Sequence, residues 1–135
     1  MNAADFAQIK HLIGRYIEGL YHCDVGLLAQ VLHPQALYAT ASSGQLLRRD
    51  MPDYFAAVQQ RISAASQGQP YQLDMQHIEL LGEHTALVRL ACTIAPKHYQ
   101  DILSMVKLDE RWWIISKVFE EWLIDTPADL SPPAH

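Results

Sequence analysis

The chain is poor in basic residues, and this shortage argues against one large class of partner. Ten lysines and arginines stand against fifteen aspartates and glutamates, which leaves a formal net charge of −5 at pH 7. A surface that holds nucleic acid needs clustered Lys and Arg, whereas Arg48-Arg49 and Lys97-His98 are the only local basic spots. We therefore expect no nucleic-acid partner.

Cysteines are also few, and so are the residue patterns that bind metals or cofactors. Cys23 and Cys92 do not have a metal-ligand spacing, and the seven histidines include no His-x-His or His-x-x-x-His pair. No nucleophile motif, phosphate loop or dinucleotide fingerprint is present. We expect neither a bound metal nor a cofactor.

Long apolar runs are absent as well. None approaches the roughly 20 residues that a bilayer span requires, so we expect no membrane partner. The chain shows no signal peptide, and its two thiols are therefore expected to be reduced and buried in a cytoplasmic protein.

What is present fits a single globular domain. The 135 residues are 50% hydrophobic and 19% charged, which is enough to bury a sizeable core. We predict one domain over residues 1–125. The tail 126–135 contains Pro127, Pro132 and Pro133 and is expected to be mobile.

The first half of the chain carries the signals of three helices. Apolar residues recur over 3–22 with the spacing of an amphipathic helix. Asp24 is placed to cap a second helix that ends before Pro34. Asp50 is placed to cap a third helix, with Ile62 on its apolar face.

Strands are predicted between the helices and throughout the second half. Residues 37–41 favour a short strand, and Leu46-Leu47 a brief return strand. From Tyr71 on, the hydrophobicity alternates with a period of two. Gly82-Glu83 and Asp109-Glu110 are placed as the tight turns of two hairpins.

The second hairpin, residues 101–123, is the most informative stretch, because each face of a strand can be judged separately. With Leu108 opposite Arg111, the register places Asp101 opposite Val118. One face then carries Asp101, Leu103, Met105, Lys107, Trp112, Ile114, Ser116, Val118, Glu120 and Trp122. The other carries Ile102, Ser104, Val106, Leu108, Arg111, Trp113, Ile115, Lys117 and Phe119. Both faces are largely apolar, so both are expected to be covered.

The order of the elements predicts an α+β fold. Two helices, a strand and a third helix precede four long strands in a meander. Helices must then cover one face of a bent antiparallel sheet. Such a sheet leaves a conical hole, which suits a small ligand.

The segment 101–119 resembles the final hairpin of a known family. In the putative lumazine-binding family of the nuclear transport factor 2-like (cystatin-like) superfamily, this hairpin typically has the pattern Asp-x-Leu-x-Leu-x-Lys-x-Asp-Gly-x-Trp-x-Ile-x-x-Lys. Tyr16-Ile-Glu-Gly, Asp24 and Leu32-His33-Pro34 are similar to the family's opening, so the resemblance covers about residues 5–122. Glu110 departs from the pattern, which prefers glycine there. Since a type I′ turn needs positive φ at both positions, a longer turn is the alternative.

The resemblance implies a cone-shaped fold, with three N-terminal helices packed on a strongly bent antiparallel sheet. It also implies that the cone binds a small, planar organic molecule. The wider superfamily includes isomerases, dehydratases, polyketide cyclases and non-catalytic proteins. A cofactor-free enzyme is therefore the alternative to a binding protein.

Asp101 is the first candidate for chemistry. Its predicted face is the one that the resemblance assigns to the cone interior, and a carboxyl in an apolar lining can serve as a general acid or base. The alternative is a solvated carboxyl at a strand end, or one that hydrogen-bonds the helix layer. His77, beside Met75 on an apolar face, is the second candidate for proton transfer. Its alternative is a core histidine with one hydrogen bond.

Other residues are candidates for contact with the ligand. Tyrosines from the roof of the cone offer aromatic walls and hydroxyls, although tyrosine also suits an ordinary buried helix face. His33 is otherwise a helix terminator, and Glu120 and Trp122 are placed at the rim. The predicted ligand-binding set is Tyr16, His33, Tyr38, Tyr54, Met75, Leu103, Ser116, Val118, Glu120 and Trp122.

The opposite face of the sheet is predicted to join two copies of the chain. It carries Trp113, Ile115 and Phe119, with Ile102 and Val106 beside them. An apolar patch of this kind marks an interface, and a two-fold dimer lets one patch meet itself. We therefore expect a homodimer.

Overall fold

The computed structural model describes residues 3–94 and 96–124. Its helices are α1 (Ala3–His22), α2 (Val25–Val31) and α3 (Met51–Gln59), followed by a 3₁₀ turn at Ala65–Gln67. Its strands are β1 (Leu32–Thr40), β2 (Leu47–Arg49), β3 (Tyr71–Leu80), β4 (Thr85–Ile94), β5 (Lys97–Leu108) and β6 (Arg111–Leu123). The predicted tail 126–135 lies outside the described residues.

Two side-chain caps set the starts of the shorter helices, as predicted. The Asp24 carboxylate accepts a hydrogen bond from the Leu27 amide at 3.0 Å, and the Asp50 carboxylate accepts one from the Asp53 amide at 2.9 Å. The prediction for Ile62 is wrong. Because α3 ends at Gln59, Ile62 lies beyond its apolar face and is 76% exposed. Within the described residues, no helix is long and apolar enough to cross a membrane.

The six strands form one curved sheet in the order β2-β1-β6-β5-β4-β3. Neighbouring strands are antiparallel, except that β1 and β6 run parallel, so the sheet is mixed rather than wholly antiparallel. The core lies between the helices and the concave face of the sheet. One buried cluster joins Ile9 and Ile13 of α1 to Leu90, Leu103 and Ile114 of the sheet. The predicted α+β class is confirmed.

A β-bulge in β6 changes the predicted register of the last hairpin. Leu108 pairs with Arg111 and Met105 with Ile114 as predicted, but Ser104 pairs with Ser116 instead of Ile115. The extra residue on β6 moves Asp101 opposite Phe119 instead of Val118. A shift of one residue exchanges the two faces of a strand. Beyond the bulge, Lys117 and Phe119 therefore face the helices.

A second bulge lies in β3, where the predicted and observed registers agree only in the first half. A two-residue turn at Gly82-Glu83 would pair Met75 with Leu90 and His77 with Val88. Met75 does pair with Leu90, whereas His77 pairs with Arg89. The turn that follows is longer than predicted, since the Leu81 amide donates to the Thr85 carbonyl at 2.8 Å.

The turn of the last hairpin has only two residues. Asp109 and Glu110 have φ angles of 50° and 64°, so both central residues adopt the left-handed conformation of a type I′ turn. The alternative of a longer turn is therefore wrong.

Candidate functional site

A cavity of about 670 Å³ lies between the concave face of the sheet and the segment that follows α3. Its volume falls within the range of roughly 300–1,000 Å³ that is usual for small-molecule sites. Side chains from β1, β4, β5, β6 and the segment after α3 line it, among them Tyr38, Arg61, Cys92, Tyr99, Asp101 and Lys117.

Asp101 lies on β5 at the inner wall of this cavity and is only 1% exposed. Its Oδ2 accepts a hydrogen bond from the Tyr16 hydroxyl at 3.2 Å, and the Lys117 Nζ lies 3.9 Å from the same oxygen. Its Oδ1 has no hydrogen-bond partner among the described residues. Burial raises the pKa of this carboxyl, while Lys117 and the Tyr16 hydrogen bond oppose the rise. The solvated alternative for Asp101 is therefore wrong, whereas its contact with α1 through Tyr16 agrees with the other alternative.

Lys117 is the main site residue whose face was predicted wrongly, because the predicted register lacked the bulge in β6. The bulge turns it inward, where it is 5% exposed. Its ammonium lies over three aromatic rings, 4.8 Å from the centroid of Phe119, 5.3 Å from that of Tyr16 and 5.5 Å from that of Tyr38. Rings at these distances stabilise a cation through their quadrupoles. A buried ammonium thus faces the cavity beside a buried carboxyl.

One signal in the sequence could have placed Lys117 correctly. The family pattern ends in Ile-x-x-Lys, which corresponds to Ile114 and Lys117. Residues three apart on a regular strand point to opposite faces. If both were required inside the cone, a bulge between them had to be present.

Of the three predicted tyrosines, Tyr38 lines the same cavity, and Tyr16 and Tyr54 contact residues that line it. Tyr16 is bonded to Asp101, and the ring of Tyr38 stacks on that of Tyr54 with 4.6 Å between centroids. The Tyr54 hydroxyl is buried and has no hydrogen-bond partner among the described residues. Burial raises the pKa of Tyr16 and of Tyr54, so both phenols are neutral hydrogen-bond donors at neutral pH.

Cys92 is a further cavity residue, on β4. Burial raises the pKa of its thiol to about 12. The thiolate is the nucleophilic form of cysteine. Cys92 is therefore an inert wall of the cavity at neutral pH.

The cavity lining also includes charged side chains with ion-pair or ring partners. Lys97 and Glu121 pair at 3.6 Å, and Arg49 lies 3.8 Å from Asp53. The Arg61 guanidinium lies 6.0 Å from the centroid of the Tyr54 ring and also interacts with Tyr38. In the described part of the chain, Arg61 has no carboxylate within 4.0 Å.

Four predicted ligand residues do not face the cavity. The bulge in β6 places Ser116, Val118, Glu120 and Trp122 on the outer face, where Val118 is 49% exposed and the Trp122 ring packs on His98. These four predictions are wrong for the same reason, the shift of register by one residue. Two other predicted residues belong to the core. Leu103 is fully buried in the core cluster, and Met75 is partly buried and packs against this cluster.

Both predicted histidines lie outside the cavity. His77 faces outward from β3, about half exposed, with its Nε2 3.1 Å from a Glu79 carboxylate oxygen. The bulge before it rotates it away from the core, so its predicted catalytic position is wrong. His33 packs its ring on Trp113 and accepts a hydrogen bond from the Gln35 amide at 3.0 Å. Its hydrogen bond is made within β1, and the C-cap of α2 is Leu32.

Comparisons with known proteins agree with this architecture. The sequence model of the putative lumazine-binding family matches residues 4–120. No curated protein matches significantly.

Among solved structures, an NTF2-like protein of unknown function from Silicibacter pomeroyi superposes with a TM-score of 0.79 at 18% identity, covering 90% of this chain and 100% of that one. A cystatin-like domain of unknown function from Nostoc punctiforme gives 0.71 at 16% identity, covering 93% and 82%. A ketosteroid isomerase-like protein from Erwinia carotovora atroseptica gives 0.70 at 10% identity, covering 93% and 100%. At these identities the superpositions establish the fold, and the predicted NTF2-like, cystatin-like fold is confirmed.

Proposed function

Because the chain belongs to the putative lumazine-binding family, we propose that it binds a small organic molecule in the cavity around Asp101 and Lys117. The observation that carries this proposal is a set of three buried polar atoms that have no hydrogen-bond partner among the described residues, Asp101 Oδ1, Arg49 Nε and the Tyr54 hydroxyl. Buried polar atoms are nearly always hydrogen-bonded. Asp101 and Arg49 line the cavity, and Tyr54 stacks on its wall residue Tyr38, so these atoms are candidates to bond a ligand.

The shape of the surrounding side chains favours a planar ligand. The stacked rings of Tyr38 and Tyr54 lie near the ring of Phe119, whose centroid is 4.8 Å from that of Tyr38. Aromatic walls of this kind bind flat rings through stacking and edge contacts. Asp101 and Tyr54 then supply acceptors and donors that fix the orientation of the ring.

The test is a ligand search with the intact protein. Mass spectrometry of what copurifies, and a thermal-shift screen with pterins, flavins and polyketide-like aromatic compounds, should identify a molecule that raises the melting temperature. Tyr54→Phe should weaken its binding by roughly threefold to tenfold, as expected for one neutral hydrogen bond.

His77→Gln is the matched control, since His77 lies on the outer face, and it should leave the affinity unchanged. A ligand whose affinity drops with His77→Gln and not with Tyr54→Phe contradicts the proposed site.

A second candidate is a cofactor-free enzyme of the dehydratase, isomerase or polyketide cyclase type. It is favoured by the Asp101 carboxyl, whose raised pKa and neighbouring Tyr16 and Lys117 suit proton transfer to or from a bound substrate. In this role Asp101 is the general acid or base, and Tyr54 is placed to stabilise an oxyanion.

Kinetics distinguish the enzyme from the binding protein. If a screened compound is converted, Asp101→Asn should lower kcat by about 10²–10⁴, the usual contribution of a general acid or base, while the compound still binds. Conversion at the wild-type rate by Asp101→Asn rules out this role.

We also propose that two copies of the chain pair through the outer sheet face in the cytoplasm, where both thiols stay reduced. The face differs from the predicted one. Phe119 is buried inside, and Val118 takes its place beside its strand partner Ile102. These two side chains are 49% and 46% exposed, and Trp113 and Val106 pair next to them on the same face. An apolar patch of this extent suits a self-complementary contact.

Sedimentation at micromolar concentration tests the assembly. Val118→Glu should convert a dimer to a monomer, because an unpaired charge in an apolar contact is strongly unfavourable. Leu46→Glu is the control, since Leu46 is 72% exposed in the loop before β2, and it should remain dimeric. A wild-type protein that sediments as a monomer contradicts the proposal.

A further inference from the structure

The charges around the cavity point to the chemical class of its ligand. Four cationic side chains line it, Arg49, Arg61, Lys97 and Lys117, against two carboxylates, Asp101 and Glu121. Two of the cations have a carboxylate within 3.8 Å, namely Lys97 with Glu121 and Arg49 with Asp53. The remaining two are Lys117 and Arg61.

Lys117 is incompletely paired. Its Nζ is 3.9 Å from Asp101 Oδ2, which is beyond hydrogen-bond distance, and the same oxygen already accepts the Tyr16 hydroxyl. Phenyl and phenol rings provide its other neighbours. An ammonium that is 5% exposed and has three donors needs further acceptors.

Arg61 is the second cation whose guanidinium can still bind a carboxylate. It reaches the cavity from the segment after α3 and contacts the side chains of Tyr38 and Tyr54. Tyr38 connects it to Lys117, since the Lys117 ammonium lies 5.5 Å from the centroid of the Tyr38 ring. Both cations therefore contact the same stacked tyrosine pair.

We propose that the ligand of the cavity is an organic anion, a planar molecule whose carboxylate is bound by Lys117 and Arg61. This inference rests on the proposed function and adds the charge of the ligand to it. The carboxylate supplies the acceptors that the Lys117 ammonium lacks, and its negative charge offsets the excess of two cations along the wall. The planar part of the molecule packs on the Tyr38–Tyr54 stack.

A pair of probes with the same shape and different charge tests the proposal. The binding of 2-naphthoate and of 2-naphthamide is measured by calorimetry with the wild-type chain. We expect 2-naphthoate to bind at least about tenfold more tightly, a difference of about 1.4 kcal/mol. Arg61→Gln and Lys117→Met should each reduce this preference at least about threefold while leaving 2-naphthamide binding nearly unchanged. Arg61→Gln keeps the test valid if Lys117→Met fails to fold.

Arg89→Gln is the matched control, because Arg89 is exposed on the outer face of β4, and it should retain the wild-type preference. If 2-naphthamide binds as tightly as 2-naphthoate, the ligand is not selected by its charge and only this inference fails. If neither probe binds at millimolar concentration, the proposed function fails together with it. A preference that drops equally in Arg89→Gln reflects net charge alone and overturns the proposal.

Discussion

Two buried carboxylate–lysine pairs, Asp5 with Lys107 and Asp101 with Lys117, lie on the helix-facing side of the sheet. Their surroundings differ. At the end near the Asp109-Glu110 turn, Asp5 Oδ1 accepts hydrogen bonds from the Trp112 indole and the Lys107 ammonium, each at 3.0 Å. At the cavity, Asp101 holds Tyr16 at 3.2 Å and Lys117 at 3.9 Å, and one of its oxygens has no partner among the described residues.

The pKa values of the two carboxyls shift in opposite directions. The Trp112 and Lys107 hydrogen bonds lower the pKa of Asp5, whereas burial raises that of Asp101. Where each donor meets an acceptor, the pair ties α1 to the sheet. Where hydrogen-bond donors or acceptors stay unpaired beside a cavity, the same residue types suit ligand binding or proton transfer. The arrangement of the donors, and not the residue type, distinguishes structure from function here.

The largest expected effect is at the Asp5 end. Trp112 is 2% exposed and donates its indole hydrogen bond to Asp5. Trp112→Ala should lower the free energy of unfolding by about 3–5 kcal/mol, because it leaves a cavity and removes a donor from Asp5. Urea denaturation gives the value. Tyr16→Phe removes only a hydroxyl at the Asp101 pair and should cost less. An equal loss from both variants contradicts the distinction between the two ends.

The Asp101 pair should be dispensable for stability. The double variant Asp101→Asn with Lys117→Met removes both buried charges and keeps an acceptor for Tyr16. Because desolvation of a buried ion pair often exceeds its attraction, we expect no change or a gain of about 1–4 kcal/mol in the free energy of unfolding, together with loss of ligand binding. A large loss of stability would make this pair structural as well.

The two carboxyls should change the free energy of unfolding in opposite directions as the pH rises. The pKa of Asp5 in the folded state is below its ordinary value of 3.8, so its contribution is present above that value and is lost as pH falls through the folded pKa. The pKa of Asp101 is above 3.8, so its contribution is present below that value and is lost as pH rises through the folded pKa.

Urea denaturation between about pH 3 and pH 8 measures both contributions. Asp5→Asn should flatten the loss of stability toward acid, whereas Asp101→Asn should flatten the loss as pH rises from about 4. Two variants that change the curve in the same direction contradict the assigned shifts.

The smallest expected effect is at the turn beside Lys107. Glu110 has a φ of 64° and an exposed ion pair with Lys107 at 3.7 Å. The left-handed conformation costs a non-glycine residue roughly 1–2 kcal/mol, and glycine loses about 0.5–1 kcal/mol through its flexibility when unfolded. Glu110→Gly should therefore raise the free energy of unfolding by about 0.5–1 kcal/mol. Glu110→Ala, which keeps the strain, is the control and should give no gain.

Local patterns predicted much of the fold and part of the site. The helix caps at Asp24 and Asp50, the period of two after Tyr71 and the inward face of Asp101 all follow from short-range chemistry. A side chain caps its own helix, and alternation along a strand needs only neighbouring residues. The inward placement of Asp101 could be predicted because the hairpin register is set by the turn, and the bulge lies on the partner strand.

The two bulges are what the local patterns could not place. Both sides of β6 are apolar around Ile115, so either face of the strand could have been the inner one. The choice depends on how strongly the sheet bends and on which side chains fit against α1 and α3. The extra residue of the β6 bulge turns Lys117 inward and Val118 outward. It also places four predicted ligand residues on the outer face.

The sequence by itself thus determined the elements, their order, the helix caps and the carboxyl on the inner face, because each depends on residues close together in the chain. The tertiary structure alone decided that Lys117 lies beside the Asp101 carboxyl and that His77 faces outward from the sheet. It also decided that the Asp101 carboxyl, with one oxygen unpaired among the described residues, lines a cavity. These outcomes depend on the curvature of the sheet, which is a property of all six strands packed together.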